Sequence, residues 1–302
     1  MSAKRLRNLR HTRSDRVFLG MDWLVLSFFL VVLVYPLAFI IMSSISGGTA
    51  YMNLWLIPSK FSLEGYKAVF EHSDIWVGYR NSIFYTALFT FLALLVTICC
   101  AYPLSRRDFA AGKYMMLLCV FTMYFGGGLI PTYLWIRQLK MIDSIWALLL
   151  PGSLSVYNMI VMRTYFSSQI PDELREASML DGCSDIRFLL QIVIPLSGSI
   201  LAVIALYYAV GMWNDYFNAM VYITTRKKLP LPNFLREILM VNVQHSLTNT
   251  NLNDLANIEK MEQRAELMKY SLIVVSSLPV MVIYPFVQKH FVKGVMIGAI
   301  KG

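Results

Sequence analysis

The sequence predicts an all-α membrane bundle, from its composition, the length of its charge-free runs and the lack of strand alternation inside them. Of 302 residues, 57% are hydrophobic and 15% are charged, whereas soluble domains carry about 25% charged residues. The mean hydropathy is strongly positive. A spanning helix takes about 20 apolar residues, so the chain has room for one bundle of about six. Barrel strands would alternate over roughly ten residues, and Phe89 to Cys100 is a continuous apolar run instead.

Six charge-free windows place the spans, with limits taken from the bounding charges. The first follows Asp22 and covers Trp23 to about Ser44, and the second lies between Arg80 and Arg106, centred on Phe84 to Tyr102. The third runs between Lys113 and Arg137 and the fourth between Asp143 and Arg163. The fifth occupies roughly Leu196 to Asn214, and the sixth lies between Lys269 and Lys289. Basic residues in short loops are retained in the cytoplasm. The first twenty residues hold Lys4, Arg5, Arg7, Arg10, Arg13 and Arg16 against Asp15 alone, so the amino terminus is expected inside. Six spans return the tail to the same side, in agreement with Lys289, Lys293 and Lys301. The segment from Tyr222 to Met268 then falls outside, where Arg226, Lys227 and Lys228 run against the rule. Long translocated loops are largely exempt from it. The expected organisation is a cytoplasmic basic arm (1–20), a first span with an extracytoplasmic segment (21–76), a five-helix core (77–290) containing a loop at 167–195, and a cytoplasmic tail (291–302).

The net charge of +9 is concentrated in the arm and the carboxyl-terminal segment. Topology and anionic membrane lipid account for it better than nucleic acid. No cleavable secretory signal is read, because the first apolar run is too long and lacks a small-x-small exit. Cys99, Cys100, Cys119 and Cys183 offer neither a disulfide framework nor metal spacing, which leaves packing as their role.

The cytoplasmic loop between spans four and five has a readable helical grammar. Pro171 suits a first helical position, Asp172 and Glu173 favour the first turn, and Gly182 closes the helix in a left-handed conformation. Ser184 caps a second helix, and Pro195 marks a bend into span five. The small Ala177 and Ser178 admit a close surface, and Leu174, Met179 and Leu180 supply apolar contact. On these features alone a structural hairpin at the membrane surface and a handle for a soluble partner both remain open.

The spacing Glu176-Ala177-Ser178-x-x-x-Gly182, nine residues, then Ile192-Val193-Ile194-Pro195 resembles the EAA loop of permease subunits of binding-protein-dependent ABC importers. Ser178 stands for the usual alanine and Ile194 for the usual leucine. The resemblance extends to Asn81-Ser82, Gly126 to Pro131, Trp213-Asn214-Asp215-Tyr216, Tyr284 to Lys289 and the run Lys293 to Gly302. Within the family the chain looks like the carbohydrate group, close to maltose-type permeases and to those attributed to complex oligosaccharides. The resemblance implies a MetI-like fold in the bacterial cytoplasmic membrane and half of a pathway for a sugar, expected to be an oligosaccharide. It also implies a second homologous permease, an ATPase pair that binds ATP and magnesium, and an extracytoplasmic solute-binding protein. The loop helix would dock in a cleft of the ATPase, with Glu176 and Asp181 giving polar contacts, Gly182 the turn, and Leu174, Ala177 and Met179 the packed face, beside Ser178. No phosphate loop of the form Gly-x-x-x-x-Gly-Lys-Ser/Thr occurs in the chain, so no catalytic residue, cofactor or metal is expected in it. Gly126 to Gly128 lie in an apolar span without the following lysine and read as close packing or local unwinding.

Asp215 is the carboxylate at the end of span five, beside Asn214, Tyr216, Asn218 and Trp213. Hydroxyl-binding amides and aromatic faces suit a sugar cavity, and an interfacial cap with belt aromatics is the competing reading. Asn81, Tyr124 and Asn158 are further pathway candidates, although polar groups also hold membrane helices together. The loop Tyr222 to Met268 reads as a surface for the binding protein or as a solvated helical cap. The basic tail resembles one that inserts near the ATPase interface, or it merely follows topology. An ion-coupled secondary transporter would need mid-span carboxylates and related halves, and neither is evident. An intramembrane enzyme would need a constellation that His11, His72, His245, His290 and the cysteines do not form. An ABC permease for a non-sugar solute is the remaining alternative.

Overall fold

The computed structural model describes residues 13–47, 61–248, 267–285 and 288. The tail 291–302, most of the amino-terminal arm, Lys289, His11, His290 and residues 249–266 of the expected outer loop lie outside them. The described elements are helical, apart from one bridge between Ser46 and Phe61. In order they are α1 (Arg13–Ser44), α2 (Glu64–Glu71), α3 (Ser73–Ser105), α4 (Gly112–Tyr124), α5 (Leu129–Gln138), α6 (Trp146–Leu149) and α7 (Val156–Gln169). There follow α8 (Asp172–Leu180), α9 (Asp185–Phe188), a π turn at Leu189–Val193, α10 (Ile194–Leu196), α11 (Gly198–Trp213), α12 (Phe217–Tyr222), a 3-10 turn at Arg226–Lys228, α13 (Leu231–Thr248) and α14 (Leu267–Pro285).

Three of these, α1, α3 and α14, are long and apolar enough to cross a membrane unaided. Two bent pairs, α4 with α5 and the α9–α10 segment with α11, raise the number to five if each pair is one span. The protein is multi-pass, and two of the six expected windows are not single continuous helices. The third window breaks at Phe125–Gly128, and its halves diverge by 112°. Gly128 sits at φ 83°, a left-handed conformation that an unbranched glycine backbone adopts freely. Local unwinding is therefore what the glycine run encodes. The fourth window is no single helix: α6 has four residues, Pro151 and Gly152 interrupt the chain, and the 14-residue α7 runs past Arg163 to Gln169. Proline removes a ladder donor and glycine favours a turn, so the pair outweighs apolarity.

The chain divides into two compact units, Met1–Val69 with His245–Val275 and Phe70–Gln244 with Ser276–Gly302. In the first, the most apolar window of α1 buries none of its residues, as expected of a helix that is apolar all round and solvated by lipid. Its end is tied by Ser44, whose Oγ lies 2.8 Å from the Tyr66 hydroxyl and whose carbonyl accepts from Ser271 Oγ at 3.2 Å.

In the second unit α3 is the central rod. Its buried residues Ile75, Gly78, Ser82, Tyr85, Phe89, Ala93, Thr97, Ala101 and Leu104 recur every three or four positions and form one stripe. That stripe packs against α7 and α11 through Met159, Met162, Ile204 and Tyr208. Tyr208 ties all three helices, since its hydroxyl lies 2.7 Å from Thr97 Oγ1 and accepts from Ser155 N at 3.0 Å.

Two members of the basic run that contradicted the charge rule are paired locally. Arg226 pairs with Asp74 and Glu237, and Lys228 Nζ donates to Asp143 Oδ2 at 2.8 Å. Asp143 also accepts from Thr224 N, Thr225 N and Thr225 Oγ1. The Lys228 bond first, and then those from Thr225, hold its carboxyl well below the usual range.

Candidate functional site

The segment between α7 and α11 folds as the predicted helix, turn and second helix. Pro171 takes φ −63° and ψ 142° and stands one position before α8 rather than inside it, while its carbonyl accepts from Leu174 N at 3.3 Å. Asp172 and Glu173 place negative charge at the positive end of the helix dipole. The helix closes at Gly182, φ 74°, with Cys183 N donating to Ser178 O at 2.9 Å and Gly182 N to Met179 O at 3.0 Å. This is the Schellman pair of bonds, which satisfies carbonyls the helix end would otherwise orphan. Ser184 Oγ then accepts from Arg187 N at 3.4 Å and caps α9.

The expected bend at Pro195 falls two residues later. Ile194 N donates to Leu189 O, the wider ladder of a π turn, and this re-spacing lets Pro195, which has no donor, start α10. The chain turns at Ser197, where the segment Asp185–Leu196 meets α11 at 84°.

Leu174, Glu176, Ala177, Met179, Asp181 and Gly182 are exposed on this hairpin. Ser178 is buried and donates its Oγ to Arg175 O at 2.7 Å. Leu180 is 90% exposed and Ile186 72%, an apolar surface on an otherwise charged hairpin.

What holds the hairpin is an ionic network that sequence spacing did not disclose. Arg106, just past α3, bonds Asp108 at 2.6 and 3.0 Å and also reaches Asp185. Arg175 of α8 donates to Asp108 Oδ2 at 2.8 Å, and Arg107 pairs with Asp172 at 3.5 Å. The hydrogen bond from Arg106, joined by that from Arg175, holds the Asp108 carboxyl well below the usual range. The bond to Asp108, with Asp185 adding to it, raises Arg106 further above its normal value. The partners are 67 and 79 residues apart, so only the fold brings them together.

A cavity of about 590 Å³ lies between the elements around α7 and α11. Three predicted pathway residues, Asn158, Asp215 and Asn218, line it together with Phe89, Thr132, Ser155, Tyr207, Tyr208 and Tyr222. Asp215 is also held locally. Its Oδ1 accepts from Asn218 N at 3.1 Å and its Oδ2 from Asn218 Nδ2 at 2.8 Å, which caps the turn into α12 while it borders the cavity. The other candidates stand elsewhere. Asn214 donates back to Val210 O at 2.9 Å, and Tyr216 lies with Arg236 5.4 Å over its ring. Asn81 donates to Lys227 O and Leu229 O at 2.8 and 3.0 Å, and Tyr124 is exposed at the end of α4. The aromatic lining was missed, although Phe89 falls on the α3 stripe and the Tyr207-Tyr208 pair interrupts an apolar run.

Membrane-length and bent helices joined by an exposed, charge-braced hairpin define an integral transport subunit, and the chain belongs to the permease subunits of carbohydrate-related ABC transporters. It is 38% identical over 247 residues to the polygalacturonan/rhamnogalacturonan transport system permease protein YtcP of Bacillus subtilis (strain 168), covering 82% of this chain and 84% of that one. It is 36% identical over 299 residues to protein LplC of the same strain, covering 98% and 99%. Among solved structures it matches a bacterial ABC transporter involved in import of the acidic polysaccharide alginate, with TM-score 0.83 and 31% identity over 94% of this chain and 100% of that one. No protein-family model matches the chain.

Proposed function

We propose that this chain forms one half of the translocation pathway of an oligosaccharide importer, and that the α8–α9 hairpin receives the stroke of a separate ATPase pair. The observation that carries the reading is the hairpin itself: it is closed by a left-handed glycine, exposes Leu174, Glu176, Ala177, Met179 and Asp181, and runs through a corner into α11. The same α11 supplies Tyr207, Tyr208, Gly211 and Met212 to the larger cavity. A displaced hairpin therefore acts directly on a cavity wall.

In this reading the six windows are six crossings, some bent, with both termini and the hairpin on the cytoplasmic side of a bacterial membrane. A second permease completes the pathway and an extracytoplasmic binding protein delivers the sugar. The cavity offers amides, hydroxyls and aromatic faces, which suit sugar hydroxyls and C–H surfaces, and no lysine or arginine stands among its lining residues. The test is to purify the assembly through a tag on this chain, reconstitute it, and measure ATP hydrolysis with and without sugar-loaded binding protein. Stimulation by loaded but not by empty binding protein is expected. Hydrolysis indifferent to it, or uptake driven by an ion gradient without ATP, overturns the proposal.

A further inference from the structure

A second cavity, of about 330 Å³, opens where α3 ends and α8 begins. Four guanidinium groups line it, those of Arg106, Arg107, Arg163 and Arg175, and Asp172 is the only carboxylate among its lining residues. Asp108 and Asp185 engage Arg106 and Arg175 from outside that lining. Several donors are left unanswered. The Tyr102 hydroxyl is buried in a residue only 9% exposed, near the Arg106 guanidinium, and its proton meets no acceptor among the described residues. Arg175 Nε is buried and also makes none, its nearest ion-pair oxygen on Asp185 being 3.9 Å away. Arg163 uses Nε on Leu104 O at 2.7 Å, which leaves its two Nη groups without a partner among the described residues.

Each buried donor without an acceptor costs roughly 1–3 kcal/mol. Tyr102, Arg163 and Arg175 all line this one cavity under net positive charge, so one anion with several acceptor oxygens can answer them together. Guanidinium forks match phosphate oxygens in geometry as well as charge. The place in the fold selects the source. The cavity lies at the end of the membrane-length α3, the level at which lipid headgroups meet a spanning helix, and Phe166, Ile170 and Val193 give it an apolar side.

We infer that this cavity binds the phosphate of an anionic phospholipid headgroup, bridging Arg163 and Tyr102 to Arg175 of the hairpin. A bound lipid then braces α8 from behind, while the exposed face stays open.

The test uses the assembled complex, stripped of lipid in detergent and titrated with phosphatidylglycerol, with phosphatidylcholine and with inorganic phosphate, while bound lipid is counted by native mass spectrometry. Phosphatidylglycerol should be retained, and its binding at this site should weaken at least tenfold in Arg163→Gln and in Tyr102→Phe, and less in Arg163→Lys. Phosphatidylcholine and inorganic phosphate should bind far more weakly. Equal retention of phosphatidylglycerol by an intact variant complex refutes the site. Saturation by inorganic phosphate at the concentrations where the lipid saturates refutes the lipid as occupant. Tyr102→Phe removes a single oxygen, so the test survives if Arg163→Gln fails to assemble, and a binding readout does not depend on which solute is carried.

Discussion

Replacing Gly182 by alanine isolates the contribution of one backbone conformation to coupling. At φ 74° an added Cβ meets no heavy atom within 4 Å, so the substitution introduces conformational strain without a clash. A left-handed conformation costs an L-residue about 1–2 kcal/mol, and asparagine less, because its side chain bonds locally. The two closing bonds, Cys183 N to Ser178 O and Gly182 N to Met179 O, are worth about 0.5–1.5 kcal/mol each net. The strain thus rivals what holds the turn shut, and the native turn should lose between about fivefold and thirtyfold of its advantage over open forms. In reconstituted complexes, sugar uptake per ATP hydrolysed should fall in Gly182→Ala and recover substantially in Gly182→Asn, with hydrolysis itself retained. Alanine and asparagine variants that couple alike, whether both intact or both defective, would show that the left-handed turn is not what matters.

Tyr208→Phe strands Ser155 N and Thr97 Oγ1 in the core and should cost about 1–3 kcal/mol, read as a lower unfolding midpoint of the purified complex; an unchanged midpoint contradicts the bracing role of the hydroxyl. Asp215→Ala removes the cap into α12 and should destabilise by about 0.5–2 kcal/mol, whereas Asp215→Asn keeps an acceptor and should cost less. A double-mutant cycle between Asp108 and Arg175 should return a coupling of about 0.5–1 kcal/mol, modest because Asp108 is half exposed, and a null value would dismiss the pair as ornamental. The Asp108 carboxyl titrates lower in the folded protein than in the unfolded chain, so its contribution is complete above about pH 5 and disappears as pH falls through the folded value. The difference in thermal stability between wild type and Asp108→Asn should accordingly stay level down to about pH 5 and close below it.

Local grammar was legible wherever one residue dictates one conformation. Gly182 and Ser184 stand where their chemistry placed them, because a left-handed turn and a side-chain cap are decided within a few residues. Apolar run length read the straight spans well, as α1 and α3 show, and failed at the fourth window, where Pro151 and Gly152 outweigh hydropathy. The cavity lining was partly legible. Polar residues near the end of α11 were recognisable, but only the fold separates Asp215 and Asn218, which border the cavity, from Asn214, which turns back on its own helix. The Arg106–Asp108–Arg175–Asp185 network was not legible, since nothing in sequence ties an arginine after one helix to an aspartate 79 residues on.

The 84° corner at Ser197 gives the hairpin the mechanics of a crank. The arm Asp185–Leu196 is about 18 Å long at 1.5 Å per helical residue. Because it stands nearly square to α11, sideways travel of its tip becomes rotation of α11 about its own axis, and roughly 3 Å of travel yields about 10° of turn. Such a rotation would sweep Tyr207 and Tyr208 across the cavity wall. A straight connection would turn the same push into motion along the axis of α11 instead.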